Sequence, residues 1–370
     1  MGLNKYRLGD FIERSTANNR SLKYKEDLIV GVTSDGVFST PKGSVNGVDL
    51  TPYKIVNNGD FVYNPSRFDL GSIAYRTEGL CIVSHLYQIF RLNEKGKKKI
   101  DPIWLFIYLR RKEFRREVTF RNFGSQRPEF NFNDLSEIVL PLPSIQQQRK
   151  YIDVYLALQS NLAVYQSKAD ELKLVCDGYI DQLKVKIPKQ KIGNLLETVD
   201  KRNSELTYTG VQGININKTF FPTVANIDEG STRNYKVVEH NQFAFSGMQT
   251  GRDMCIRIAL NEESKPVIIS PAYTVFRIKD DNVVLSHYIM LWFSRKQIDR
   301  YGWFASDGSI RSNLDLERFF EMENPIPDNK VQRQIVNIHK CYIERQRIAN
   351  ALKEQINNIC PVLIRGSLNN

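Results

Sequence analysis

The chain has 370 residues, a formal net charge of +11, 41% apolar side chains and 11% aromatic ones. That length suits two or three separately cored domains, and the composition excludes a disordered chain. The longest purely apolar run, residues 103–109, is too short to span a membrane.

No charged-then-apolar segment opens the chain, so no secretory leader is expected. Tyr6 stands where a myristoylation signal needs Ser or Thr. The five cysteines (Cys81, Cys176, Cys255, Cys341 and Cys360) are far apart, and none forms a Cys-x-x-Cys pair. They point to a reducing, cytoplasmic setting rather than to disulfides or zinc. The basic balance suits a polyanionic partner but does not by itself demand one.

In chain order, Phe61-Val-Tyr, Cys81-Ile-Val-Ser and Tyr87-Gln-Ile-Phe read as strands. Residues 102–117 read as a helix. Pro141-Leu-Pro143 then closes a globular part, and Ser144 is placed to cap a long helix, with Gln147 completing a capping-box pattern. The same plan then returns. Val237-Val, Phe243-Ala-Phe, Pro266-Val-Ile-Ile and Tyr273-Thr-Val-Phe read as strands, and residues 285–300 as a helix. Pro325-Ile-Pro327 closes the second part, and Asp328 is the equivalent cap.

The return is a duplication. At an offset of 184, residues 105–149 match residues 289–333 at 12 of 45 positions without a gap. The matches include Arg111/Arg295, Lys112/Lys296, Arg116/Arg300, Phe120/Phe304, Gly124/Gly308, Ser125/Ser309, Arg127/Arg311, Gln148/Gln332 and Arg149/Arg333. The expected division is 1–143, 144–184, 185–327 and 328–370, a globular part and a long helix twice over. The charge divides unevenly. Most of the excess lies in 1–143, and 185–327 is almost neutral.

In the second long helix Ile335, Ile338, Tyr342, Ala349, Leu352, Ile356, Ile359 and Leu363 follow 3-4 spacing, interrupted by Arg345. In the first, the equivalent row is Tyr151, Val154, Leu158, Tyr165, Leu172, Val175 and Tyr179, with Asn161 and Lys168 as polar breaks. Such rows make a seam for another helix. Helices of ~35–40 residues exceed the diameter of a small domain. Antiparallel pairing with each other is therefore expected over packing of each on its own domain. Asn161 and Arg345, equivalent interruptions, are expected to set the register. The fold class is α+β: two globular mixed α/β domains related by pseudo-twofold symmetry, separated by a long antiparallel two-helix coiled coil.

Two kinds of loop could carry chemistry. Asn64-Pro65-Ser66-Arg67 follows a strand. It shares only its first two residues with the Asn-Pro-Pro-aromatic motif of amino-methyltransferases, which needs the second Pro and the aromatic to hold a flipped base. It reads either as a plain turn or as a loop whose Ser66 and Arg67 touch DNA. The matching loop, residues 246–252, offers Gln249, Thr250 and Arg252 at a Gly-punctuated turn. Gly124-Ser125-Gln126-Arg127 and Gly308-Ser309-Ile310-Arg311 repeat Gly, hydroxyl and Arg, a set suited to phosphates or base edges. A turn with a carboxylate-paired Arg is the alternative. The four histidines have no metal-ligand spacing, and no nucleotide-binding or hydrolase motif is found.

The strand-turn Tyr63-Asn-Pro-Ser-Arg67 with Gly71 and Ser84, the Gly-x-x-Arg loops, and above all Leu140-Pro-Leu-Pro-Ser-Ile-Gln-Gln-Gln-Arg149 with its copy at 325–333 resemble the specificity subunits of Type I restriction–modification systems. The resemblance covers nearly the whole chain. Gln147-Gln148 and Val331-Gln332 replace that family's usual Glu-Gln. It implies that the globular parts are target-recognition domains, each reading half of a bipartite asymmetric site on double-stranded DNA. Ser66, Arg67, Ser125, Gln126 and Arg127 are the expected contacts in the first domain. Gln249, Thr250, Arg252, Ser309 and Arg311 are those in the second. It further implies that the helices space the half-sites and dock two methyltransferase subunits. Those subunits bind S-adenosylmethionine and methylate adenine N6, and two restriction–translocase subunits using ATP and Mg can join. The chain itself would be non-catalytic and hold no cofactor. A specificity subunit of a Type IIB-like enzyme is the near alternative, and a self-sufficient enzyme or a protein-binding scaffold are more distant ones.

Overall fold

A computed structural model describes residues 4–41, 43–45, 47–121, 129–223, 229–248, 250–308 and 312–368. The chain divides into two compact units, 1–164 with 349–370, and 165–348.

In the first unit four antiparallel strands run in the order Ile12–Arg14, Gln88–Leu92, Asp60–Tyr63, Ile73–Tyr75. The central strand Asp60–Tyr63 is buried on both faces. Successive strand residues point to opposite faces, so Phe61 and Tyr63 join one core and Val62 the other. The first core holds Phe90, Trp104, Leu105, Phe114 and Phe130, and the second Val56, Ala74, Val83 and Ile89. Aromatic packing fixes the register, with Phe61 stacked on Phe90 at 4.8 Å between ring centroids. Lys5–Arg7 pairs with Val139–Pro141 and brings the two ends of the domain together.

The second unit repeats this order with Leu196–Val199, Thr274–Ile278, Phe243–Ser246 and Arg257–Leu260, again antiparallel. Phe243 and Phe245 enter one core and Ala244 the other. Lys189–Lys191 pairs with Glu323–Pro325, the counterpart of the closing strand pair above. Identical strand order at low sequence identity is what a duplicated domain predicts.

Each expected helix before the Pro-x-Pro is in fact two helices. Residues 102–117 become Pro102–Arg110 and Lys112–Arg121, and residues 285–300 become Ser286–Phe293 and Lys296–Ala305. The break falls at the matched arginines. Arg111 takes φ −59° and ψ 148°, and its guanidinium lies 3.7 Å from the Tyr108 ring centroid. Arg295 takes φ −84° and ψ 132°, lies 5.6 Å over Trp292, and pairs with Asp177 at 3.2 Å and Asp181 at 2.7 Å. A cation held on the ring three residues back, joined at Arg295 by its two ion pairs, outweighs helix propensity at this point.

The long helices span Ile145–Lys186 and Asn329–Leu368. Ser144 and Asp328 cap them, accepting from the amides of Gln147 at 3.2 Å and Val331 at 2.9 Å. In the first unit Gly366 lies against the Tyr151 ring. In the second, Arg345 lies over Tyr165, Lys173 over Tyr342, and Ile180 and Leu183 share a core with Ile335 and Val336. Within each unit the pairing is therefore antiparallel.

The seam of the first helix differs from the expected one. Val154, Val175 and Tyr179 are exposed, as are Asn161 and Lys168, while Ile152, Leu162, Ala169, Cys176, Ile180 and Leu183 are buried. The true row also has 3-4 spacing. This helix carries apolar residues on more than one face, and periodicity alone does not say which face is covered. Asn161 therefore sets no register. The ends of the helices also pack on the domains. Ile152 and Ile364 belong to the first core, and the Trp104 indole donates to the Ser367 hydroxyl at 2.9 Å.

The matched glutamines explain how domain meets helix. Gln148 is fully buried. It accepts from the Asp101 amide at 2.8 Å and donates to the carbonyls of Lys99 and Pro143, each at 2.9 Å. Gln332 repeats the arrangement with the Leu285 amide at 2.9 Å and the carbonyls of Val283 and Pro327 at 2.8 Å.

Candidate nucleic-acid interface

The turn at Asn64 is built by local bonding. The Asn64 carboxamide oxygen accepts from the Ser66 amide at 3.0 Å and caps a 3-10 turn over Pro65–Arg67. Gly71, at φ +93°, lets the chain return so that the Ser72 amide reaches the Arg67 carbonyl at 3.1 Å. Pro65 and Phe68 are buried, which leaves Ser66 and Arg67 exposed on the tip. Arg67 makes no ion pair among the described residues.

The Gly-Ser-x-Arg segment of this domain, with Ser125, Gln126 and Arg127, lies outside the described residues. Its following flank is described. The Phe130 amide donates to the Pro65 carbonyl at 3.1 Å, so this flank neighbours the Asn64 turn. The second domain repeats this. The Gly251 amide donates to Ser312 at 2.9 Å, and the Leu314 amide donates to Gly247 at 2.8 Å. A Cβ on Gly247 would meet the Leu314 carbonyl oxygen at 1.8 Å, and one on Gly251 would meet Ser312 Cβ at 2.4 Å. These glycines allow the 247–251 turn to touch the flank at Ser312 and Leu314.

Gln249, Ser309 and Arg311 lie outside the described residues. Arg252 is exposed on the short helix Thr250–Asp253. Thr250 is a correction. It is fully buried, and its hydroxyl donates to the Gly247 carbonyl at 3.0 Å, so it shapes the loop instead of touching DNA. Pattern reading treats a Thr at a Gly-punctuated turn as available, and only packing shows that the turn closes over it.

Some residues that hold this face were not singled out from sequence. Lys218, at φ +62° and 9% exposed, donates to Asp299 at 2.7 Å and to the Ile256 carbonyl at 2.6 Å. It fixes the 211–222 hairpin to the helix Lys296–Ala305. A single lysine in a polar turn gives no sequence signal of this. In the first domain Asp60 is 1% exposed, its carboxyl raised by burial against the opposing pull of the Asn57 amide and Arg91.

All five cysteines are free. Burial pushes the thiols of Cys176 and Cys360 up to about 11, which keeps them protonated at neutral pH. Among the described residues no cluster of His, Cys, Asp and Glu could hold a metal ion. None of their helices is long and apolar enough to cross a membrane.

Two copies of one mixed α/β domain, each bonded through a buried glutamine to a long helix, make this an internally duplicated chain. Residues 2–174 match the family described as the Type I restriction modification DNA specificity domain. Within these residues the chain is thus similar to the specificity domain of Type I restriction–modification systems. The fold agrees with that of the S subunit of a Type I restriction–modification system from M. genitalium, at 13% identity and TM-score 0.63, covering 100% of this chain and 97% of that one. The HsdS subunit from Thermoanaerobacter tengcongensis is similar over 99% of this chain and 96% of its own, at 14% identity and TM-score 0.40. No curated protein matches the chain.

Proposed function

We propose that this chain is the non-catalytic DNA-recognition subunit of a cytoplasmic Type I restriction–modification complex. Residues 1–143 and 185–327 are the target-recognition domains, and 144–184 and 328–370 the spacer helices. Each domain reads one half of a bipartite, asymmetric site in double-stranded DNA. The observation that carries the reading is the specificity-family match at 2–174, on a chain that repeats the same strand order and loop pair in its second unit. Two domains with divergent loops suit two different half-sites. Arg67 and Arg252 are described, exposed and placed on the paired loops, and Ser125, Gln126, Arg127, Gln249, Ser309 and Arg311 are assigned to the same face from sequence.

The long helices dock two methyltransferase subunits. Supporting this, they leave apolar side chains in water beyond their own seam: Val154, Leu156, Leu174, Val175 and Val362 are each more than 40% exposed. In the second unit a groove of about 730 Å³ runs between them, lined by Leu174, Val175, Tyr179 and Ile338 among others. S-adenosylmethionine belongs to the methyltransferases, and ATP and Mg to restriction–translocase subunits where these join. The test is a methylome of cells with and without the gene. A bipartite N6-methyladenine motif that disappears with the gene is expected. An unchanged methylome refutes the reading.

A further inference from the structure

The matched pairs of the duplication can be sorted by what folding requires of them. Gln148/Gln332 clamp domain to helix, and Arg111/Arg295 sit on aromatic rings at the helix breaks. Glu137 pairs with Arg7, and Glu321 with Lys191 at 2.5 Å. On the helices that follow the breaks, three pairs have no such role: Lys112/Lys296, Arg116/Arg300 and Phe120/Phe304. All six side chains are exposed, and Phe120 and Phe304 are 82% and 83% exposed. They recur at i, i+4 and i+8 on the helices Lys112–Arg121 and Lys296–Ala305. That spacing puts them on one helix face, spread over ~12 Å at 1.5 Å per residue.

Folding does not favour this row. Lys112 and Lys296 open their helices, where the positive end of the helix dipole disfavours a cation. No carboxylate among the described residues pairs with Lys112, Lys296 or Arg300, and Arg116 has only Glu113 at 4.0 Å. A phenylalanine left in water forgoes burial. Both rows end beside the candidate interface. Each Phe precedes the Gly-Ser-x-Arg segment, whose following flank is bonded to the partner loop.

We propose that these two rows are the sequence-independent part of the DNA interface. This rests on the DNA-recognition reading above and deepens it. Side chains that are the same in both domains cannot by themselves tell two different half-sites apart. The component common to both half-sites is the sugar–phosphate backbone. Lys112 and Arg116, and Lys296 and Arg300, hold phosphates. Phe120 and Phe304 pack against the duplex at the end of each row, as apolar wedges do in other DNA-bending contacts. What differs between the domains lies next to the rows. In the second, Tyr301 and Trp303 are half exposed beside Arg300 and Phe304, where the first has Glu117 and Thr119.

The test uses the full chain in its complex with the methyltransferase subunits. Binding to a cognate duplex and to a scrambled one is titrated at several salt concentrations. Variants are Lys112→Gln with Arg116→Gln, Lys296→Gln with Arg300→Gln, and Phe120→Ala or Phe304→Ala, each with wild-type thermal unfolding as a check on folding. Each lost cation is expected to flatten the log–log salt slope by about 1 on both duplexes while the cognate-to-scrambled ratio stays unchanged. Each Phe variant is expected to bind both duplexes roughly tenfold more weakly with the slope unchanged. Unchanged affinity and slope overturn the proposal. So does loss of the ratio, or release of the methyltransferase with DNA affinity intact, which would make the rows a protein-docking face. A wild-type complex with no sequence preference would instead count against the recognition reading, because the salt slope on scrambled DNA still reports on the rows.

Discussion

Replacing Gln148 by Leu preserves much of the side chain's bulk and removes every hydrogen bond it makes. Three backbone groups then lose their bond to this side chain: the Asp101 amide and the carbonyls of Lys99 and Pro143. The site is fully buried, so water does not readily replace the glutamine. An unsatisfied buried polar group costs about 1–3 kcal/mol, so three would cost about 3–9. Local relaxation of the Pro-x-Pro turn favours the low end, about 3 kcal/mol. The assay is urea unfolding followed by both fluorescence and circular dichroism, because the two compact units can unfold separately. Gln148→Leu is expected to destabilise the unit holding residues 1–164 and leave the other unchanged. Gln332→Leu is expected to do the reverse. Gln148→Glu keeps the acceptor but loses both donors and buries a charge, so it should be no milder. A Gln148→Leu protein within about 1 kcal/mol of wild type would show that the clamp does not join domain to helix.

Further expectations concern the loops, the helices and pH. Gly247→Ala forces a methyl group into the Leu314 carbonyl and should cost about 1–3 kcal/mol of loop strain. It should weaken discrimination of the second half-site alone, and equal loss at both half-sites in competition binding would refute this. Removing one heptad from each long helix shortens the spacer by ~10 Å, which corresponds to about three base pairs at ~3.4 Å each. A methylome with an unchanged spacer would rule out the helices as the ruler. His339 is held neutral, its pKa lowered to about 4 by burial and by Lys173, against the pull of Asp177 and Glu262, which faces His287. The unfolded chain takes up this proton below about pH 6.5 and the folded one only near 4, so stability should fall as pH drops between those values, by at most about 3 kcal/mol. His339→Gln should flatten that part of the profile, and an unchanged profile would place the acid sensitivity elsewhere.

Much of the architecture is written locally and was legible. The strands around Phe61, Cys81, Phe243 and Val275 announce themselves by short β-branched and aromatic runs. The helix starts are announced by Ser144 and Asp328 after Pro-x-Pro. The duplication is visible because the two halves must make the same Gln and Arg contacts. The helix breaks were not legible, because an Arg three residues after an aromatic continues a helix as readily as it ends one, and the carboxylates of Asp177 and Asp181 that hold Arg295 come from a distant segment. Nor was the seam of the first long helix, where Val154 and Val175 fit the spacing as well as Ile152 and Cys176 do. Thr250 and Lys218 show the same limit at the candidate interface. One looked available and is buried, and the other looked incidental and holds a hairpin against a helix.

The sequence by itself thus determined the repeat and the uneven charge, which need only residue identities, and the main strands and helix caps, which depend on residues close in the chain. Only the tertiary structure decided which helix face is covered, which loop residues reach the surface, and that Lys112, Arg116 and Phe120 stand unburied alongside their copies. Those outcomes depend on contacts between distant segments, where packing and desolvation, not spacing, select the side chains left for a partner.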